Sequence, residues 1–189
     1  MTKSELRKKY LDKRKNLSNE EVLKLSDMIF RNFISQFEVK EEQKIHVFMS
    51  ISKFNEVNTG FFFRHFLNNG VRIFLPKMVG DKIIAVEFTK HTEMAQNSWG
   101  IAEPVSSRDS GVTDFDYVIT PLVYCDPSGE RVGYGKGYYD GFFKTIDDRC
   151  VKVGVSFFSP QETIDDLTGS DVRLDYLVTP TEMLSFRGF

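Results

Sequence analysis

Apolar positions recur at helical spacing through the first forty residues, and then the chain switches to short apolar runs separated by polar turns. Residues 3–16 and 19–37 read as helices, the second with apolar side chains at 22, 25, 29, 30, 33, 34 and 37, a stripe down one side. Ser18 followed by Glu21 is a capping-box start. Residues 45–49 form a short run suited to a buried strand, and 50–57 is polar and loop-like. A helix begins at Asn58 or Thr59 and runs to about Asn68, closed by Asn69 and Gly70. Residues 71–75 read as a strand stopped by Pro76, and 82–89 alternate well enough to be another. Residues 90–113 show little periodicity. Residues 117–120 and 122–124 read as one interrupted strand leading to a glycine-rich loop. Residues 138–146 then carry Tyr139, Phe142, Phe143 and Ile146 on one side of a helix. Strands at 151–156 and 176–179 follow, the latter the last element expected.

These strands are apolar throughout and alternate with helices. That pattern predicts an α/β fold, a three-layer α/β/α sandwich with a central largely parallel or mixed sheet. The 189 residues suit a single domain spanning 1–189. In such sheets ligands bind beyond the C-terminal ends of the strands, and the loops at 50–57, 125–137 and 170–175 are expected to gather there.

Composition narrows the function. Hydrophobic residues make up 41% and charged residues 28%, ordinary for a globular protein, while eighteen phenylalanines predict a core or pocket rich in rings. A net charge of −2 gives no global case for nucleic acid or an anionic membrane as partner. The chain shows no apolar run long enough to span a membrane and no secretion signal at its start, so a cytoplasmic location is expected. Cys125 and Cys150 lack metal-ligand spacing and read as reduced structural thiols, and His46, His65 and His91 sit in unrelated contexts.

The candidate chemistry lies in Gly133-Tyr134-Gly135-Lys136-Gly137-Tyr138-Tyr139-Asp140. Glycines at 133, 135 and 137 permit left-handed backbone and close approach to a ligand, converging amide hydrogens make an anion-binding concavity, and Lys136 adds a full charge. Asp140, in the first turn of the helix that follows, is suited to a metal ion near phosphates. The other reading is a glycine-rich surface turn, since GxGxG alone is neither the GxxxxGK nor the GxGxxG phosphate loop. A second clue is a basic stripe. Lys3, Arg7 and Arg14 fall at about 0°, 40° and 20° around a helix of about 100° per residue, beside Leu6, Tyr10 and Leu17. Such a stripe either faces an anion or is solvated with snorkelling stems.

Taken in order along the chain, these features resemble the 5-formyltetrahydrofolate cyclo-ligase (methenyltetrahydrofolate synthetase) family. The resemblance covers nearly every residue. It rests on Lys3, Arg7 and Arg14, on Phe48-Met49-Ser50 followed by Glu56-Val57-Asn58-Thr59, on residues 99–104 (WGIAEP), on 129–140 (GERVGYGKGYYD) and on 171–175 (DVRLD). It implies conversion of 5-formyltetrahydrofolate to 5,10-methenyltetrahydrofolate, with ATP as co-substrate, Mg²⁺ as cofactor, and ADP and phosphate released. By resemblance, Lys3, Arg7, Arg14, Arg131, Gly133, Tyr134, Gly135, Lys136, Gly137 and Tyr138 bind ATP, with Lys136 and Tyr138 catalytic. Met49, Glu56, Trp99, Tyr138 and Tyr139 bind the folate, and Asp140 and Asp175 hold magnesium. Without the resemblance, Glu56 reads first as a cap for the helix near Asn58, and the alternative for Met49 and Trp99 is plain core. Tyr134 stands where animal members often carry arginine and many bacterial members tyrosine. The resemblance further implies a small-molecule substrate, polyglutamylated or not, and a monomer. The competing readings are a non-catalytic nucleotide-binding regulatory protein on the same scaffold, or a sugar-phosphate isomerase or acyl-CoA transferase-like enzyme on a related sheet.

Overall fold

The computed structural model describes residues 1–98 and 100–188. Helix α1 (Lys3–Lys15) and helix α2 (Asn19–Gln36) each start with a capping box, Thr2 with Glu5 and Ser18 with Glu21. In each, the cap hydroxyl and the glutamate satisfy two otherwise orphaned amides reciprocally. Strand β1 (Lys44–Val47) leads through a 3₁₀ turn (Ser52–Phe54) to helix α3 (Gly60–Asn68). Strands β2 (Arg72–Val79) and β3 (Lys82–Phe88) form a hairpin, followed by the small pair β4 (Met94–Gln96) and β5 (Ala102–Pro104). Then come β6 (Tyr117–Thr120), the hairpin β7 (Tyr124–Cys125) and β8 (Arg131–Val132), helix α4 (Tyr138–Phe143), β9 (Val151–Val155), β10 (Tyr176–Val178) and β11 (Met183–Ser185).

Seven strands form one sheet in the order β11-β10-β9-β6-β1-β2-β3. The five central strands are parallel, and β3 and β11 add antiparallel edges. Side-chain alternation divides the two faces. Ile45, Val47, Ile73, Leu75, Ile119, Val153 and Val155 pack with Ile29 and Phe33 of α2 and Phe62 and Phe66 of α3. The opposite face carries Phe74 and Val118 against Phe142 and Phe143 of α4. Helix α1 does not touch this face directly. Its Leu6 and Tyr10 pack on Val123, Tyr124 and Val132 of the small hairpin, with the Tyr10 and Tyr124 rings stacked at 4.2 Å.

The predicted sandwich is therefore present, with five local differences. Pro76 does not end β2, because β1 pairs only as far as Phe74 and the extension beyond it has β3 alone as neighbour, where a residue without an N–H is tolerated. Residues 122–124 do not continue β6. The chain leaves the sheet at Pro121 and enters the separate β7–β8 pair. The helix after the glycine loop is six residues long, shorter than its apolar spacing suggested. The weakly periodic stretch 90–113 contains the β4–β5 pair, and β11 closes the edge after β10, which was expected to be last. Phenylalanine density belongs to the scaffold. Phe30, Phe33, Phe37, Phe62 and Phe66 form a chain of ring contacts between α2 and α3, at centroid distances of 4.9 to 6.2 Å.

Gly154 in β9 has a packing reason to lack a side chain. A Cβ there would lie 2.5 Å from Leu174 Cδ1 and 2.8 Å from Leu122 Cδ2. Gly154→Ala is expected to destabilise the protein by about 1–3 kcal/mol through overpacking, lowering the melting temperature by roughly 2–10 °C for a chain of this size. An unchanged thermal melt would show that both leucines move aside freely.

Candidate active site

The strand order reverses between β1 and β6. After β1 the chain adds β2 and β3 on one side, then returns to place β6, β9 and β10 on the other. Ligand crevices form at such switch points beyond the strand C-termini. Here a crevice of about 10 Å³ is bounded by Phe48 after β1, Pro121 and Leu122 after β6, and Ser156 and Phe157 after β9, with Arg14 and Glu56 also lining it.

Glu56 is delivered by a loop braced from within. Ser50 Oγ donates to Val57 O at 2.8 Å and accepts from Thr59 N at 2.8 Å, while Thr59 Oγ1 donates to Phe48 O at 2.8 Å. Asn55 takes the left-handed conformation (φ 47), which Asn tolerates better than most residues. Its Nδ2 donates to Arg14 O at 2.8 Å and Leu17 O at 3.0 Å, fastening the loop to the end of α1. The Glu56 carboxylate, 5% exposed, accepts from Ile51 N at 2.7 Å and Tyr134 Oη at 2.5 Å. It does not cap α3, where Asn58 Oδ1 meets Gly60 N instead. Burial pushes the Glu56 pKa up, against the hydrogen bonds from Tyr134 and Ile51 and the charge of Arg14.

Two residues of the basic stripe of α1, Arg7 and Arg14, bond the glycine loop. Arg14, 4% exposed, donates through Nη2 to Tyr134 Oη at 2.5 Å and through Nη1 to Leu122 O at 3.2 Å, while its buried Nε has no partner among the described residues. Arg7 donates from Nε to Gly133 O at 2.7 Å, and its guanidinium carbon would sit 3.4 Å from a Cβ at Gly135. Two of the three loop glycines, Gly135 (φ 89) and Gly137 (φ 68), use the left-handed region, and Gly133 does not. Lys136 is exposed and makes no hydrogen bond or ion pair with the described residues. With only one and a half turns in α4, anion attraction by the helix itself is small.

The remaining predicted positions divide. Lys3 Nζ pairs with Asp171 Oδ2 at 2.5 Å. Arg131 is buried against the Phe143 ring, 4.9 Å from its centroid, and bonds Asp140 Oδ1 at 2.9 Å and Val172 O at 2.5 Å. Asp140 Oδ1 also accepts from Val172 N at 3.1 Å. Asp175 lies just before β10, at the opposite end of the parallel strands from the crevice, where its carboxylate takes Lys152 N at 2.7 Å and Arg187 Nε at 3.2 Å. Asp140 thus meets the segment that leads to Asp175, while the two carboxylates bond different partners, and no group of three or more His, Cys, Asp or Glu among the described residues is arranged for a metal. Met49 packs toward the α2–α3 side, next to the crevice-lining Phe48. Tyr138 is half-buried, and Trp99 lies outside the described residues. Tyr139 packs against Phe142 and Phe143, and its buried hydroxyl has no partner among the described residues. Beside it His46 is fully buried, neither ring nitrogen has a partner among the described residues, and burial lowers its pKa to about 3, so it is neutral at physiological pH.

Several contributors escaped sequence reasoning. Asn55 carried one available signal, an Asx residue in a polar loop where left-handed backbone is common. Pro121, Leu122 and Phe157 carried none, since their role is set by which strands become neighbours.

The family model described as "5-formyltetrahydrofolate cyclo-ligase family" matches residues 1–180. A Caenorhabditis elegans protein named "Probable 5-formyltetrahydrofolate cyclo-ligase" is 26% identical, over 97% of this chain and 95% of its own. Among solved structures, the 5,10-methenyltetrahydrofolate synthetase of Aquifex aeolicus superposes with a TM-score of 0.80 at 33% identity, covering 100% of this chain and 95% of that one. The 5,10-methenyltetrahydrofolate synthetase from Mycoplasma pneumoniae gives 0.74 at 26% identity, over 95% and 99%.

Proposed function

The chain belongs to the 5-formyltetrahydrofolate cyclo-ligase family, a ligase acting on a small folate, and from that membership we propose an ATP-dependent ring closure carried out where the glycine loop meets Glu56. The observation that carries the proposal is the direct Tyr134–Glu56 hydrogen bond, which joins a phosphate-type loop to a buried carboxylate at the sheet's switch point.

In this reading the formyl oxygen of 5-formyltetrahydrofolate attacks the γ-phosphorus of ATP and ADP leaves. The resulting imidoyl phosphate is attacked at its formyl carbon by N10, which loses its proton as phosphate departs. The protein's task is positioning and neutralising charge, with no protein nucleophile. Lys136, free of other partners, meets the transferring phosphoryl oxygens, and Tyr138 lies beside it. Lys3, Arg7, Arg14 and Arg131 supply cationic surroundings, the last braced through Asp140. Glu56 accepts pterin N–H groups, with Met49, Tyr139 and Trp99 offering apolar walls. For Mg²⁺, Asp140 fits as one protein ligand, because its Oδ2 is not used by Arg131 or Val172 and carboxylate with phosphate and water suits that ion. Asp175, at the end of the segment that Asp140 bonds through Val172, is proposed as the second carboxylate of the magnesium site.

The chain is proposed to act as one domain, as a monomer, in the cytoplasm. None of the described helices is long and apolar enough to cross a membrane. Purified protein given 5-formyltetrahydrofolate, ATP and Mg²⁺ is expected to develop the near-ultraviolet absorbance of the methenyl product. Silence in that assay from protein that still binds ATP by calorimetry would favour the regulatory nucleotide-binding alternative.

A further inference from the structure

Tyr134 sits in the glycine loop, yet its hydroxyl bonds groups outside the loop. It donates to Glu56 Oε1 and accepts from Arg14 Nη2, each at 2.5 Å. Glu56 Oε2 is held by Ile51 N, so Oε1 is the oxygen left for an incoming N–H. Burial and the Glu56 charge push the Tyr134 pKa up, so its hydroxyl stays protonated as a donor. The crevice around these groups holds about 10 Å³, roughly one water, whereas pockets for organic ligands hold about 300–1,000 Å³. The crevice as it stands has no room for a fused two-ring ligand beside the tyrosine. Taking the place of the hydroxyl gives such a ligand a route to Oε1.

We propose that Tyr134 is a positioning residue of the folate subsite, a placeholder that keeps Glu56 and Arg14 in register until pterin N–H groups displace its hydroxyl. This rests on the assignment of Glu56 to folate. Displacement has a mechanical result, because Tyr134 lies two residues before Lys136 with left-handed glycines at 135 and 137 around that lysine. A side chain leaving Glu56 takes the turn with it and changes where the Lys136 ammonium points. Arg7 is bonded to Gly133 O and packed against Gly135, so the same movement reaches a second cation of the nucleotide side. Folate and nucleotide binding are then linked, and by reciprocity each alters the other's affinity by one factor.

The test is titration calorimetry with 5-formyltetrahydrofolate, with and without a non-hydrolysable ATP analogue, on the parent protein, Tyr134→Phe and Glu56→Gln. In the parent, the analogue is expected to change the folate Kd about 5- to 10-fold. In Tyr134→Phe, folate no longer competes with a hydrogen bond to a charged group, so its Kd without nucleotide tightens on the order of 10-fold and the effect of the analogue falls below about 2-fold. Folate affinity in Tyr134→Phe that is unchanged or weaker, while Glu56→Gln weakens it, removes the placeholder role and leaves the folate subsite standing. Unchanged affinity in both variants removes the subsite as well.

Discussion

Lys136→Ala is expected to lower kcat about 10²–10³-fold, the usual loss when one preorganised donor to a developing negative charge is removed. The size follows from the surroundings of this lysine. Lys3, Arg131 and Arg7 are each committed, to Asp171, to Asp140 and to the Gly133 carbonyl. Lys136 is exposed, unpaired among the described residues, and carried between two glycines with positive φ. No neighbour is placed to replace it. Because it is exposed and makes no hydrogen bond or ion pair with the described residues, its removal should leave the melting temperature unchanged. A stopped-assay comparison at saturating ATP and folate measures the effect, and turnover within threefold of the parent would take Lys136 out of the phosphoryl-transfer step.

Glu56→Gln is expected to raise the KM for 5-formyltetrahydrofolate about 10- to 100-fold, as a hydrogen bond to a charged acceptor is worth roughly 1.5–3 kcal/mol, with the KM for ATP changed far less. The reverse pattern would move Glu56 to the nucleotide half. The same variant reads out the electrostatics. The folded pKa of Glu56 is raised by burial above the ordinary 4.5, so the stability this group contributes is fully present below 4.5 and is lost as pH rises through the folded value. Relative to the parent, Glu56→Gln should therefore gain stability between acid and neutral pH in chemical denaturation. A pH-independent difference would show that the hydrogen bonds cancel the effect of burial. In activity the sign is opposite: folate use by the parent needs the ionised carboxylate and weakens as pH falls through the raised value.

Much of this architecture was legible because it is local. The helical stripe of α2, its Ser18–Glu21 cap and the glycines around Lys136 all announce themselves within a few residues. The basic stripe of α1 was legible as a pattern, but its direction was not, since Arg14 and Arg7 meet the loop across more than a hundred residues of chain. Pro76 misled because its permissibility depends on where the neighbouring strand stops. Asp140 and Asp175 look like a pair in sequence order, but their carboxylates are taken up by different partners, Arg131 and Val172 for one and Lys152 and Arg187 for the other. The link between Tyr134 and Glu56 was least accessible of all, since it exists only once β1 and β6 lie side by side.

One carboxamide bears on how such an enzyme can diverge. Asn55 Nδ2 grips the last carbonyls of α1 while the next residue is Glu56, so the helix that presents cations and the loop that presents the carboxylate share a single datum. A mutation that tilts the helix to suit a different phosphate donor also drags the pterin acceptor out of alignment. Selectivity for one substrate is then inherited together with selectivity for the other, and lineages altering either are expected to change both.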